Sequence, residues 1–445
     1  METPIYDFLK QYSESGTVRF HMPGHKGRCP HPALSAISAY DLTEIEGADS
    51  LFEADGIIEQ AERNASALFH TQETMFLTGG STLGIQTMLS SVLHPGDAVI
   101  AARNAHRAFI NTCALLDLSV CWVLPNSRDA FGVSGAISPE SLEAAFAQCP
   151  DAKAVYVTSP DYMGWMSDIE ALSAVCRRHG VPLLVDNAHG AHLAFGTKNR
   201  HPIALGASMC CDSAHKTLPV FTGGAYVHTA PGFFVTKQEM RKNASLFGST
   251  SPSYLIMMSL DLCNDYLERY ANADFAALEK KVRSVRDACA EASFLPQEGI
   301  CDDTKITLDA SHVGMSGGEL ADHFRSHGIE CEYAGERHVV FMVSPQNPDS
   351  DFECFLSAVR AVQKRFVHTA ETVCFALPAA VMAPRTAMFS KKECVPIESA
   401  VGRIAAETRI SCPPGVPVIV AGEKIDDTTQ KILKNSGVSS INVVK

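Results

Sequence analysis

A lysine and an aspartate in the middle of the chain have the residue types and surroundings needed to hold an aromatic cofactor. Lys216 lies in the segment 213–218, which reads Ser-Ala-His-Lys-Thr-Leu, and Asp186 follows the apolar run 181–185. An amine that can lose its proton forms a Schiff base with an aldehyde, and a carboxylate can keep a pyridine nitrogen protonated. Together these residues predict a site for pyridoxal 5'-phosphate (PLP).

A phosphate-binding turn is predicted at residues 79–82, which read Gly-Gly-Ser-Thr between a short strand and a helix. Backbone amides at a helix N-terminus and the hydroxyls of Ser81 and Thr82 suit a phosphate group. Ser213 and His215, beside the lysine, are further candidates for phosphate contacts. Glycine turns followed by a serine N-cap are also ordinary helix starts, so both interpretations of this turn stay open.

The other candidates have ordinary structural interpretations as well. Asp186 has the residue type of a helix N-cap, and most lysines in polar loops are surface residues. His106 opens a helix after the strand Ala98–Ala102, where it either stacks on the cofactor ring or caps that helix. Taken one at a time, these residues do not decide between the alternatives.

Two pairs of histidines have spacings that occur in metal sites. His189 and His192 lie in a predicted loop, whereas His21 and His25 are separated by Pro23-Gly24. Neither pair is accompanied by an acidic residue in the pattern of a zinc protease. The sequence therefore predicts no metal site.

The composition is that of a folded protein with more than one domain. The chain has 445 residues, of which 46% are hydrophobic and 20% charged, and its net charge is −13. Nothing basic clusters into a stripe that would bind nucleic acid, and no apolar run approaches the ~20 residues that span a bilayer. The fifteen cysteines form no C-x-x-C pair and the N-terminus lacks a secretory pattern, so a cytoplasmic protein with free thiols is expected.

The hydrophobic pattern predicts strands that alternate with helices. The predicted strands are 74–77, 98–102, 120–124, 154–158, 183–185, 207–211, 305–308 and 339–343. The predicted helices are 57–69, 83–93, 105–116, 167–179, 254–270, 275–292, 318–327 and 352–366. Such alternation is typical of an α/β fold with a mostly parallel sheet covered on both faces.

Several segments resemble, in the right order, the motifs of the Orn/Lys/Arg decarboxylase family, a fold-type-I group of PLP enzymes. The segments are 21–27, 78–84, 103–106, 159–162, 184–192, 213–218, 249–252, 400–403, 413–415 and 421–423. The similarity runs from about residue 3 to about residue 430, and the chain looks like the compact Gram-positive-type members. It implies a fold-type-I PLP-dependent transferase-like large domain, a small α/β domain and a C-terminal decarboxylase domain.

The expected domain limits follow from this resemblance and from the element pattern. They are an N-terminal arm at 1–44, a PLP-binding large domain at 45–280, a small α/β domain at 281–370 and a C-terminal decarboxylase-type domain at 371–445.

The resemblance also implies a role for each candidate residue. Lys216 would carry the Schiff base, Asp186 would pair with the pyridine nitrogen, and His106 would stack on the ring. His189 would lie near the phenolic oxygen, and Lys216 or His215 would return a proton to the substrate. The implied phosphate ligands are Ser81, Thr82, Ser213, His215, Thr250 and Ser251. The last two would reach the neighbouring subunit, so a homodimer or larger homo-oligomer with shared active sites is expected.

The implied reaction is the α-decarboxylation of a basic amino acid to carbon dioxide and a polyamine precursor. Arginine is the first expectation, followed by lysine and then ornithine. Alternatives are another fold-type-I PLP reaction, such as transamination or β-elimination, and a catalytically silent relative that binds a partner or a polyamine. Glu423 is a candidate for the distal cation of the substrate, and Arg385 for domain packing or for a carboxylate.

Three positions depart from the family pattern. Asn187 stands where the family usually has glutamate, Ala214 where it has threonine, and Cys412 where it has tyrosine. The candidate catalytic residues are kept in all three cases, but the change at Cys412 is expected to alter the substrate end of the pocket.

Overall fold

The computed structural model describes residues 1–125, 135–294, 299–365, 375–411 and 416–445, without the side chains of residues 411 and 416. The described residues form two compact units, each built from two stretches of the chain. Unit 1 comprises Met1–Val92 and Leu184–Ala273, and unit 2 comprises Leu93–Leu183 and Asp274–Lys445.

Helices and strands alternate through most of the chain. The helices are α1 Pro4–Glu14, α2 Pro32–Ser38, α3 Ile57–Phe69, α4 Gly80–Val92, α5 Arg107–Leu116, α6 Pro139–Gln148, α7 Ile169–His179, α8 Ala214–Thr217, α9 Lys237–Ala244, α10 Tyr254–Tyr266, α11 Asn272–Glu291, α12 Gly317–Ser326, α13 Asp349–Arg360, α14 Pro384–Phe389 and α15 Asp427–Asn435. The strands are β1 Glu73–Leu77, β2 Ala98–Ala102, β3 Ser119–Val123, β4 Ala154–Thr158, β5 Leu183–Asp186, β6 Met209–Asp212, β7 Ala225–Thr229, β8 Lys305–Asp309, β9 Tyr333–Ala334, β10 His338–Met342, β11 Lys392–Pro396, β12 Arg409–Ser411, β13 Val416–Ile419 and β14 Ser440–Val444.

The strands of unit 1 lie in the order β1-β7-β6-β5. β5 and β6 are parallel, whereas β7 runs antiparallel to both β6 and β1. Helix α4 lies very close to β6, because a Cβ atom on Gly84 would come within 2.7 Å of the Cβ atom of Cys211. Only glycine at this position permits that approach of helix to strand.

Unit 2 contains a parallel group of strands in the order β3-β2-β4, followed by smaller antiparallel sheets. β8, β10 and β9 form one antiparallel sheet, and the strand pairs β11–β14 and β12–β13 follow in the C-terminal part. The C-terminal part has an apolar core of its own, in which Ile397, Ile419 and Ile441 are buried. None of the helices in the described part of the chain has the length and apolar character needed to cross a bilayer.

The predicted α/β fold with mainly parallel strands is confirmed, and α3 has the predicted limits of residues 57–69. The helix predicted at 352–366 is wrong at its C-terminal end, because α13 ends at Arg360 and residues 361–365 are not helical. The backbone amide of Arg365 donates to the carbonyl of Val313, which draws the chain away from the helix axis. Residue 366 lies outside the described residues.

Candidate active site

Lys216 and His189 meet at the carboxyl ends of two parallel strands. Lys216 lies in the one-turn helix α8 directly after β6, and His189 follows β5. The Nζ atom of Lys216 is 3.0 Å from Nε2 of His189. Lys216 is exposed in the single chain, whereas His189 is buried. Ligands of α/β folds bind at such strand ends.

Asp186 is the last residue of β5, and its side chain is only 1% exposed. Its Oδ1 atom accepts a hydrogen bond from the amide of Ala188 at 3.2 Å and lies 3.9 Å from the thiol of Cys211. Burial raises the pKa of Cys211 well above its usual range, and the charges of Asp186 and Asp212 act in the same direction. Cys211 therefore stays a thiol that can donate to the carboxylate of Asp186.

The glycine turn at residues 79–82 lies beside the lysine helix. Gly80 has a φ of +65°, and its amide donates to the carbonyl of Gly223 at 2.8 Å. A Cβ atom on Gly80 would lie 3.8 Å from Cε1 of His215, so the turn and α8 border the same space. Ser81 and Thr82 are in the first turn of α4, a 13-residue helix whose first amides have no partner within the helix. Such amides suit a phosphate group.

His215 is held by the backbone of the same unit. Its Nδ1–H donates to the carbonyl of Gly224 at 2.9 Å. Burial lowers the pKa of His215, and the charge of Lys216 lowers it further against the opposing effect of the Gly224 hydrogen bond. Ser213, the N-cap of α8, is buried next to it. The lowered pKa favours the neutral imidazole of His215, whereas a phosphate dianion would favour its protonated form.

These features fit the three points at which PLP is anchored. Lys216 supplies an accessible amine, Asp186 a carboxylate fixed at a strand end, and α4 an N-terminus that begins next to His215. All three belong to unit 1. The unit therefore has groups that suit the aldehyde, the pyridine nitrogen and the phosphate of this cofactor.

The structure accounts for the asparagine at position 187. The Nδ2 atom of Asn187 donates to Oδ1 of Asp212, a fully buried carboxylate, at 2.8 Å. Burial alone would raise the pKa of Asp212, but His201 and His228 beside it hold that pKa well below its usual range. A glutamate at position 187 would place a second carboxylate against this buried charge, whereas an amide satisfies it.

The roles of three further candidates, His106, Thr250 and Ser251, stay predictions. His106 is the N-cap of α5 in unit 2, where its Nδ1 atom accepts from the amide of Ala108 at 3.2 Å. Thr250 and Ser251 are exposed in unit 1, just before α10.

Two further positions depart from the family pattern besides Asn187. Ala214 is the buried first residue of α8, and Cys412 lies outside the described residues.

The candidate role of Glu423 at the distal cation of the substrate is wrong. Glu423 forms a two-point ion pair with the buried guanidinium of Arg103, at 2.6 and 2.8 Å, and its Oε2 atom also accepts from the amide of Val420. Arg385 donates to the carbonyls of Ala114 and Leu115 at the end of α5, which is the packing role. Neither side chain is left to bind a substrate group.

Removing the charge of Glu423 is expected to destabilise the protein strongly. In Glu423→Gln the guanidinium of Arg103 stays buried without its counter-charge, at a cost of about 3–5 kcal/mol. The measurement is the midpoint of urea unfolding. The control is Glu398→Gln, because Glu398 pairs with Lys434 and both side chains are about 60% exposed, which makes such a pair worth about 0–1 kcal/mol. Equal midpoints for the two variants would contradict the prediction.

Comparisons with known proteins agree with this geometry. The family model of the Orn/Lys/Arg decarboxylase major domain matches residues 3–295, and the model of the C-terminal domain of that family matches residues 367–435. The arginine decarboxylase of Bacillus subtilis is 29% identical to this chain, over 98% of this chain and 94% of that protein. An uncharacterized protein of Bacillus subtilis, YaaO, is 30% identical over 97% and 94%.

Solved structures show the same fold. A lysine decarboxylase of Francisella novicida has a TM-score of 0.84 and 18% identity, and the match covers all of this chain and 81% of that one. A serine palmitoyltransferase of Sphingomonas wittichii has a TM-score of 0.58 and 15% identity, with 81% and 84% covered. The fold is thus the predicted fold-type-I architecture. The chain belongs to the Orn/Lys/Arg decarboxylase family, and the protein is a decarboxylase.

Proposed function

We propose that this enzyme binds PLP and removes the α-carboxylate of arginine, giving agmatine and carbon dioxide. The observation that carries the proposal is the placement of Lys216, His189 and Asp186 at the carboxyl ends of β5 and β6. Arginine is preferred because proteins named arginine decarboxylase match nearly the whole chain. A lysine decarboxylase of Pseudomonas aeruginosa, at 24% identity, matches 60% of it. Lysine and ornithine are the second and third substrates.

In this proposal each residue of the pocket has a separate task. Lys216 would hold the cofactor through its amine. Asp186 keeps the pyridine nitrogen protonated, so that the bound cofactor takes up the electron pair of the breaking Cα–carboxylate bond. Lys216 or His215 then gives a proton to Cα. His189, 3.0 Å from the lysine amine, orients that amine and would contact the phenolic oxygen of the cofactor.

The remaining assignments complete the cofactor site. Ser81, Thr82, Ser213 and His215 hold the phosphate, and His106 stacks on the ring. We also propose the domain limits 1–44, 45–280, 281–370 and 371–445, a cytoplasmic location, and no nucleic-acid or membrane partner. The net charge of −13 supports the absence of nucleic acid.

The test is incubation of the PLP-loaded enzyme with arginine, lysine and ornithine in separate reactions. Carbon dioxide and the amine are measured together, and we expect agmatine and carbon dioxide in equal amounts with arginine as the best substrate. A keto acid in place of the amine would favour transamination. A visible absorption of the bound cofactor without turnover of any of the three would favour a silent binding relative.

We further propose that two subunits share each active site. Thr250 and Ser251 lie on an exposed turn before α10, as is required of residues that reach a neighbouring subunit. Lys216→Ala and Ser251→Glu are each expected to be inactive alone, because the second variant places a carboxylate against the phosphate. After mixing and re-equilibration, activity should return to roughly a quarter of wild type, since half of the dimers are mixed and each holds one intact site.

A matched variant, Ser284→Glu, places the same carboxylate on an exposed position of α11 and should keep full activity. Subunit exchange is verified by mass. If exchange occurs and the mixture stays inactive, both segments serve the site of their own chain, and the sharing is refuted.

A further inference from the structure

A second cluster of reactive side chains lies in unit 1 and contains none of the residues assigned to the cofactor. It consists of His201, Cys210, Asp212 and His228, and all four are fully buried. Cys210 and Asp212 are two residues apart on β6, so they point to the same face of the sheet. In the register of β6 and β7, His228 lies directly opposite Cys210. The fourth donor, His201, lies in the segment that precedes β6. The fold therefore assembles the four donors from three places in the chain.

Three of the distances between the donor atoms are close to those between the ligands of one tetrahedral metal ion. All four atoms lie within 4.8 Å of one another. Nε2 of His201 is 3.0 Å from Oδ2 of Asp212 and 3.8 Å from Sγ of Cys210, and Nε2 of His228 is 3.3 Å from the same Oδ2. Tetrahedral zinc places two nitrogen or oxygen ligands about 3.3 Å apart, and a nitrogen and a sulfur about 3.5 Å apart.

The orientation of His228 suits a bound ion as well as an ion pair with Asp212. Its Nε2 atom faces Oδ2 of Asp212 at 3.3 Å. Its Nδ1 atom is 2.8 Å from Oγ1 of Thr74. When Nδ1–H donates to this hydroxyl, the lone pair is on Nε2, the atom that faces the cluster. Metal-bound histidines are typically held through their other nitrogen in this way.

The charges of the cluster also balance around a divalent ion. With a metal bound, Asp212 would be a carboxylate and Cys210 a thiolate, and burying these two negative charges without compensation would be costly. One doubly charged cation neutralises both while the two imidazoles stay neutral. Asp212 would use Oδ2 for the metal, because its Oδ1 atom already accepts from Asn187. A histidine pair with a carboxylate and a thiolate is a ligand set that suits zinc.

We propose that His201, Cys210, Asp212 and His228 bind one zinc ion. Four protein ligands leave no open position for a substrate, so the site is structural. Asp212 ends β6, directly before Ser213 and α8, and Asn187 follows Asp186. The ion would thus fix the ends of β5 and β6, from which Asp186 and Lys216 project. The proposal does not depend on the substrate or on the decarboxylation reaction.

The test is the zinc content of the untagged, PLP-loaded enzyme, produced with zinc and freed of loosely bound metal by gel filtration. We expect about one zinc ion per chain, measured by mass spectrometry. His201→Gln and Cys210→Ser should lose most of this zinc. The control is Cys263→Ser, another buried cysteine of unit 1 outside the cluster, which should keep it.

A second measurement identifies the ligands and does not depend on the folding of the variants. Wild-type protein produced with cobalt should show the near-ultraviolet charge-transfer band of a thiolate bound to Co²⁺, and the Cys263→Ser variant should show it too. Wild-type enzyme with far less than one zinc per chain, or cobalt-loaded enzyme without the thiolate band, would refute the site. The cluster would then be a buried His-Asp-His ion pair.

Discussion

Lys216→Ala is expected to lose all turnover and the visible absorption of the lysine-linked cofactor. The reason is that the amine at the end of α8 is the group that we propose binds the aldehyde of PLP, and alanine has no nucleophile to replace it. Lys216 is exposed in the single chain, so its removal should leave the fold intact. The measurements are decarboxylation of arginine, the absorption spectrum, and thermal unfolding as a check on the fold.

Lys242→Ala is the matched control, because Lys242 is also an exposed lysine of unit 1 but lies on α9. This variant should keep both the absorption and the activity. Reduction with borohydride gives a sharper comparison, since it makes the link between lysine and cofactor permanent. If the Lys216→Ala protein still carries a reducible covalent link, another lysine anchors the cofactor and our assignment fails.

Asp186→Asn is expected to keep some bound cofactor and to lose most of the activity. A neutral amide no longer holds the pyridine nitrogen protonated, so the cofactor accepts the electron pair of the breaking bond less readily. Loss of a preorganised electrostatic contact of this kind typically costs about 10²–10³-fold in kcat. The measurement is kcat with saturating arginine, together with the amount of bound cofactor.

The control for this variant is Asp261→Asn. Asp261 is also a buried carboxylate of unit 1, but it accepts hydrogen bonds from the backbone amides of Ile5 and Tyr6 at the start of α1. Burial raises the pKa of Asp261 to about 7, so an amide resembles its protonated form. Activity close to wild type is expected for Asp261→Asn. The same result for Asp186→Asn would mean that Asp186 has only a structural role.

Helices and strands with a clear periodicity of apolar residues were predictable from the sequence. The exact ends of these elements were harder to predict. The apolar spacing of α3 gave its limits directly, because one face of that helix is buried along its whole length. Helix α4 begins at Gly80, three residues before the predicted start, because the glycine turn is already part of the helix. The amphipathic pattern at 352–366 extends beyond the end of α13 at Arg360, and no local signal indicated that the amide of Arg365 bonds to distant Val313.

Some residues of the candidate site were predictable from the sequence, and other functional candidates were not. Lys216, Asp186 and the turn at 79–82 were recognisable because each lies where a strand ends and has a residue type with known chemistry. The cluster around Asp212 was missed, since no short spacing joins His201, Cys210 and His228. Their meeting depends on the antiparallel register of β6 and β7, and β7 itself was not predicted. Likewise, no local sequence pattern indicated that the carboxylate of Glu423 pairs with Arg103.

The pair between Arg103 and Glu423 has a consequence for how the protein is made. The two residues are 320 positions apart, so the guanidinium of Arg103 is synthesised well before the carboxylate that pairs with it. At about 5–20 residues per second, the ribosome needs roughly 16–64 s to cover that distance. During this interval the nascent chain holds an unmatched cation beside the apolar surface that will later enclose it. The folding of unit 2 is therefore complete only after the segment that carries Glu423 has left the ribosome.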